Sequence, residues 1–337
     1  MALRHWRAWL AGFLLLSGLG ASGAGWLWLD IQRTLTKPLV LEAPVLFTIA
    51  PGASLAQIAR QLAARGWLPQ AAYLRLEALR DARLSRLQAG VYEVTPGMTL
   101  RGLLLRFARG DVKRYRYTLV EGSNFRQYVN LIAGLEGVEH TLRGQPPEAW
   151  MSALGEPETP AEGAFFPSTY FYTHGTSDLT LLKQARAQMR EVLVAAWKKR
   201  APGLPYARAE EALIMASIIE KETGAAAERA EIAGVFVRRL ALGMRLQTDP
   251  TVIYGLGADF DGNLRRRDLQ RDTPFNTYTR AGLPPTPIAM PGAASIAAAL
   301  SPTAGKALYF VAKGDGTHVF SASLAAHQRA VRKFQQR

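Results

Sequence analysis

The sequence predicts an α+β protein: an N-terminal apolar helix, a small strand-and-helix module, and a larger mixed domain. Three observations predict it. A pattern of alternating strand, Gly turn, Ser/Thr/Asn cap and helix start recurs three times in the first 130 or so residues. The middle of the chain is dominated by amphipathic and apolar stretches of helical period. Near the C-terminus, Leu308–Lys313 and His318–Ser323 flank Gly314-Asp-Gly316, which reads as a hairpin. Strands do not alternate regularly with helices, which argues against a doubly wound parallel sheet.

Taken in order, Arg4-His-Trp-Arg7 precedes an uncharged run from Ala8 to Leu29. As a helix it would extend about 33 Å, enough for a hydrocarbon core of about 30 Å. Trp6, Trp9, Trp26 and Trp28 sit near its ends, and the leading arginines would keep the N-terminus in the cytoplasm. A cleaved signal peptide is the competing reading, with small residues at Ala21-Ser-Gly23. The apolar run resumes after that point as Trp26-Leu-Trp-Leu, which favours an uncleaved anchor. The organisation expected is therefore an anchor over residues 1–30, a spacer over 31–44, a small domain over 45–123 and a larger one over 124–337.

The three repeat copies begin at Phe47, Tyr92 and Tyr117. The first continues as an amphipathic helix to Arg65, and a second helix, Gln70 to Arg80, precedes the next strand. Phe125 to Leu135 and Leu179 to Lys199 read as further helices. Ala212 to Ile219 is an uninterrupted apolar run closed by Glu220-Lys-Glu222 and Gly224, so a buried helix ends on carboxylates. Leu213 and Ala216 share the face of Glu220, and a carboxyl on an apolar face retains its proton more readily, as a general acid requires. The other reading is a Glu that caps or pairs with an arginine. A second helix, Ala230 to Leu240, follows, and Leu324 to Phe334 closes the chain as a basic helix.

The formal charge of +14 points to anionic partners: nucleic acid, lipid headgroups or an acidic polymer. No nucleic-acid motif accompanies the basic residues around Arg101–Arg116, so nucleic acid is not expected as a partner. There are no cysteines, and the five histidines lack metal-ligand spacing, so neither a metal nor a cofactor is expected.

Two later stretches, Gly243–Gly255 and Thr273–Pro287, are rich in amides, hydroxyls and aromatics suited to sugars. Ser217-Ile-Ile-Glu-Lys-Glu-Thr, Arg245-Leu-Gln-Thr-Asp-Pro-Thr-Val-Ile-Tyr-Gly and Tyr278-Thr-Arg-Ala-Gly-Leu-Pro-Pro, in this order, resemble the endolytic murein transglycosylases, the MltG or YceG-like family. The resemblance covers about residues 40–335. It implies cleavage of peptidoglycan glycan strands without water at the MurNAc–GlcNAc bond, leaving 1,6-anhydroMurNAc ends. It also implies a role as terminator of glycan elongation beside penicillin-binding synthases. It puts the acid–base role on Glu220, the first Glu of the Ile-Glu-Lys-Glu-Thr run. Strand, helix, helix, strand over residues 45–123 resembles a LysM-like module, which would bind glycan; a packing module is the other reading. Glu162-Gly-Ala-Phe-Phe-Pro-Ser-Thr-Tyr resembles a further family motif, with Ser168 where Asp is usual; Glu162 reads as a capping or cleft-lining residue.

Gln247, Asp249, Tyr254, Asn276 and Tyr278 are expected to line the cleft. Glu222, about 200° round the helix from Glu220, is expected to be structural. An inverting hydrolase using Glu220 and Asp249 and a non-catalytic, membrane-tethered peptidoglycan-binding scaffold remain the alternatives. The expected location is the inner membrane, with the catalytic domain periplasmic and residues 8–29 in the bilayer.

Overall fold

The computed structural model describes residues 2–335, with the side chains at positions 2–5, 7, 8, 10, 11, 13 and 16 outside the described set. The chain is mixed α and β, with thirteen α-helices and three two-stranded sheets among the described residues. It forms two compact units, residues 1–115 and 116–337.

The first unit runs α1 (Ala2–Thr36), β1 (Val45–Ile49), α2 (Leu55–Ala64), α3 (Ala71–Arg80), β2 (Gly90–Val94) and α4 (Leu100–Arg109). β1 and β2 pair antiparallel, with Phe47 opposite Tyr92. Local sequence explains the helix starts. Ser54 and Gln57 form a reciprocal capping box, and Thr99 accepts the Gly102 N–H. The α4 stripe of Leu100, Leu103, Leu104 and Phe107 is fully buried, and the Phe107 ring stacks on Phe47 at 5.1 Å. α1 continues past residue 30 into the expected spacer because Ile31 and Leu35, one turn apart, are buried in this core.

The membrane span expected over residues 8–29 is not shown. Among the described residues no helix is long and apolar enough to cross a membrane. Part of that stretch, residues 8, 10, 11, 13 and 16, lies outside the described side chains. Gly12, Ser17, Gly18, Gly20, Ser22, Gly23 and Gly25 also dilute its apolar content.

The strand of the third repeat, β3 (Arg114–Thr118), pairs with β4 (Thr169–Thr173). Tyr117 stacks on Tyr170 at 5.3 Å, so this strand's core contacts are in the second unit, and the division falls before the 123/124 boundary read from sequence. Between these strands lie α5 (Phe125–Ala133), capped by an Asn124–Gln127 box, and α6 (Pro147–Ala153). Then follow α7 (Asp178–Lys198), α8 (Ala209–Glu222), α9 (Arg229–Ala241), α10 (Asp249–Leu256), α11 (Arg266–Gln270) and α12 (Ala293–Leu300). The hairpin β5 (Tyr309–Ala312)–β6 (His318–Ser321) and α13 (Leu324–Phe334) close the chain.

α8 is the central helix. Ala212 through Ile219 are all buried, as a helix apolar on every side must be, and α7, α9, α10 and α12 surround it. Its end differs from the expected glycine cap. Thr223 leaves the helix in an extended conformation, φ −142° and ψ 135°, and donates its N–H to the Ile219 carbonyl. The carboxylates of the last turn therefore emerge where the chain turns away from the core.

Candidate active site

The last turn of α8 divides its charged residues between two cavities. Glu222 lines one of about 450 Å³ together with Arg239, Gln247, Asp249, Tyr278 and His318. Lys221 lines another of about 520 Å³ with Glu162 and Tyr254. α10 is shared in the same way: Asp249 faces the Glu222 cavity, and Pro250, Ile253 and Tyr254 face the other.

In the Glu222 cavity the partly buried carboxyl accepts a hydrogen bond from Thr248 Oγ1 at 2.6 Å. Burial pushes its pKa above the ordinary glutamate range. The Thr248 hydrogen bond and the nearby His318 and Arg239 oppose that rise, while Asp249 adds to it. Asp249 accepts the Tyr278 O–H at 2.5 Å, and burial with this bond holds the phenol well above its usual value. Thr248 is itself fixed: its N–H donates to Thr277 Oγ1 at 3.1 Å, and its carbonyl accepts from Thr251 Oγ1 at 2.7 Å.

Gln247 is the non-glycine residue with positive φ among the described residues, at 53°. A left-handed conformation of this kind costs about 1–2 kcal/mol and persists where the surroundings enforce it. Its N–H donates to the Thr277 carbonyl at 3.2 Å, which locks the turn that presents residues 247–249 to the cavity. Arg239, buried on α9, donates to the Leu308 and Leu246 carbonyls at 2.6 and 2.7 Å and lies 5.0 Å from the Tyr309 ring. Burial lowers its pKa, but a guanidinium remains charged, so this wall carries a fixed cation.

Glu220 is placed elsewhere. The Leu213 and Ala216 face behind it is buried as expected, but its carboxylate accepts the Gly292 N–H at 2.9 Å, at the N-cap of α12. It satisfies a helix terminus, a favourable position for an anion. The site residues expected from sequence are thus brought together only in part. Gln247, Asp249 and Tyr278 converge on Glu222, the carboxylate that sequence reasoning set aside. Tyr254 faces the other cavity, where its O–H donates to Glu162 at 3.0 Å. Glu162 also accepts the Phe125 N–H at 3.0 Å, so it caps α5 from across the chain, and burial raises its pKa against these bonds.

Asn276 does not line the Glu222 cavity. It is fully buried, and its Nδ2 donates to the carbonyls of Asp268, Leu269 and Arg271, closest at 2.7 Å, while its Oδ1 accepts the Tyr278 N–H. It holds the loop that presents Tyr278. Replacing Asn276 by Ala removes the hydrogen bonds of a buried amide to this loop and should cost about 1–3 kcal/mol. A lowered melting temperature accompanied by lost activity is expected, and an unchanged melt with only a raised KM would contradict this role. Among the described residues, no group of three or more His, Cys, Asp or Glu side chains is arranged to hold a metal ion.

Residues 47–333 match the model of the YceG-like family. The chain belongs to the YceG-like family. It is 33% identical to the endolytic murein transglycosylase of Bacillus subtilis over 74% of this chain and 74% of that protein. It is 25% identical to the endolytic murein transglycosylase of Streptococcus pneumoniae over 91% of this chain, which spans 61% of that relative. The crystal structure of a YceG-like protein from Listeria monocytogenes superposes with a TM-score of 0.52 at 26% identity, covering 86% of this chain and 99% of that one. The matched residues include Glu162, Glu220, Lys221, Glu222, Gln247, Asp249, Tyr254, Asn276 and Tyr278.

Proposed function

We infer that this YceG-like chain is an endolytic murein transglycosylase, a lyase acting on peptidoglycan, and that its acid–base residue is Glu222. One observation carries the assignment: Glu222 shares a polar cavity with a second, tyrosine-held carboxylate and with a buried cation, while Glu220 is engaged at a helix terminus. Protonated Glu222 gives its proton to the leaving glycosidic oxygen as C1 of the muramic ring gains oxocarbenium character. The resulting carboxylate takes the proton of the C6 hydroxyl as O6 closes on C1. The glycosidic bond breaks, a C1–O6 bond forms, and the 1,6-anhydro product arises without water. Because the nucleophile belongs to the substrate, the protein's main task is to hold the ring in a reactive geometry. Asp249, oriented by Tyr278, stabilises the developing positive charge.

The proposal extends to surroundings. The strand–helix–helix–strand module of the first unit is read as a LysM-like glycan-binding element. The uncharged run 8–29 is read as an inner-membrane anchor, with the catalytic unit periplasmic beside penicillin-binding synthases. Its support is the arginine-flanked, tryptophan-bounded sequence. Release of soluble muropeptides from murein by the full chain tests the activity; binding without release would favour a scaffold.

The pH dependence follows from the shift of Glu222. The reaction needs its protonated form, so the rate falls as pH rises through a pKa above the usual glutamate value. Asp249 contributes to that elevation, so Asp249→Asn should move the basic limb of the kcat/KM profile to lower pH. An unmoved or alkaline-shifted limb would argue against this coupling.

A further inference from the structure

The cavity on the other side of α8 and α10 takes no part in the proton transfers above, yet charged and amide side chains line it. Two cations edge it, Arg126 on α5 and Lys221 on α8, and neither has a carboxylate partner among the described residues. The Lys221 ammonium reaches the Gly122 carbonyl at 3.3 Å. Asn124 and Gln127 use their side-chain oxygens in the α5 capping box, which leaves both amide NH₂ groups available. The acid in this lining, Glu162, already accepts from the Phe125 N–H and the Tyr254 O–H. The chemistry matches an anionic ligand that carries amides.

Position narrows it further. α8 turns Glu222 to one cavity and Lys221 to the other, and α10 does the same with Asp249 and Pro250. The cavities therefore flank the same helices, about one helix diameter, or ~10 Å, apart. Murein carries a short peptide on the lactyl group of each muramic residue. Four residues in extended form reach about 13 Å, enough to pass from one cavity to the other. We propose that the cavity lined by Arg126 and Lys221 is a subsite for the stem peptide, engaged while the attached sugar lies against Glu222. The peptide carboxylates meet the two cations, and its amides meet Asn124 and Gln127. This rests on the transglycosylase reading.

The test compares peptide-bearing strands with the same strands stripped of peptide by an amidase. The wild-type full chain should favour peptide-bearing strands about tenfold in kcat/KM, through KM. An Arg126→Ala/Lys221→Ala chain should lose that preference and process stripped strands like wild type. Equal handling of both strands by wild type, or an equal loss on both in the variant, would overturn the proposal. A second measurement does not depend on cleavage. Free stem tetrapeptide titrated into the Glu222→Gln chain should give saturable NMR shifts at the start of α5 and at Lys221, abolished by the double substitution. Absence of such shifts overturns the subsite. If wild type cleaves neither strand, the activity reading fails, and the titration still decides the subsite.

Discussion

Replacing Glu222 by Gln should lower the rate of strand cleavage by about 10²–10⁴-fold, the range that general acid–base catalysis supplies. Gln has the same shape and still accepts the Thr248 hydrogen bond, so strand binding should persist. The same change should raise thermal stability near neutral pH. The folded pKa of Glu222 lies above its unfolded value, so the stability associated with this group is fully present below the unfolded pKa, about 4.3. It is lost as pH rises through the folded pKa, because the unfolded chain then ionises more readily. Gln removes that loss. The melting temperature of the variant should therefore exceed that of wild type at pH 7 and converge with it below about pH 4. Glu220→Gln should behave differently: the Gly292 contact is retained in neutral form and cleavage falls far less. Parallel rate and melting measurements on the two variants check this. An equal or larger rate loss in Glu220→Gln would return the acid–base role to Glu220.

A second large effect is expected at Gly163, beside Glu162. Its φ is +74°, and a Cβ there would lie 2.5 Å from Pro287 Cβ, 2.6 Å from Pro287 Cγ and 3.3 Å from the Ala289 carbonyl oxygen. Strain at positive φ costs about 1–2 kcal/mol. Forcing a methyl against a proline ring and backbone adds about 1–3 kcal/mol, because neither yields readily. Gly163→Ala should thus destabilise by about 2–5 kcal/mol and lower the melting temperature by about 5–15 °C. Gly175→Ala is the control: its φ is +81° with nothing within 4 Å of the added carbon, so only the strain remains. Equal melting shifts for the two substitutions would show that close packing at Gly163 does not matter.

How much was legible in the sequence depended on how local the determining contacts are. The caps at Ser54, Thr99 and Asn124, the buried run 212–219 and the C-terminal hairpin are set by neighbours within a few positions, and all form as read. The angle between Glu220 and Glu222 was equally local and equally readable. Which of the two faces the polar cavity was not. That depends on Gly292, Thr248 and the β5–β6 hairpin, which reach α8 from 26 to about 100 residues downstream. The family motif put the acid–base role on Glu220, whereas Gln247, Asp249 and Tyr278 converge on Glu222, two residues on. Asn276 was expected in the cleft because a polar residue in a Pro- and Gly-rich loop reads as a ligand contact; its burial and its bonds to three carbonyls come only from the folded loop. Tyr254 and Tyr278 are similar in type, and the pairing of one with Glu162 and the other with Asp249 is a tertiary fact.

The central claim is that Glu222 drives an intramolecular, water-free cleavage. Mass spectrometry of the chain ends made from murein strands by the wild-type chain, beside Glu222→Gln, tests it most directly. Ends lighter by one water than reducing ends, formed by wild type and lost with Glu222→Gln, are the expected result. Reducing ends that carry the water would contradict it, and would make Asp249 the residue that positions a water in a hydrolase.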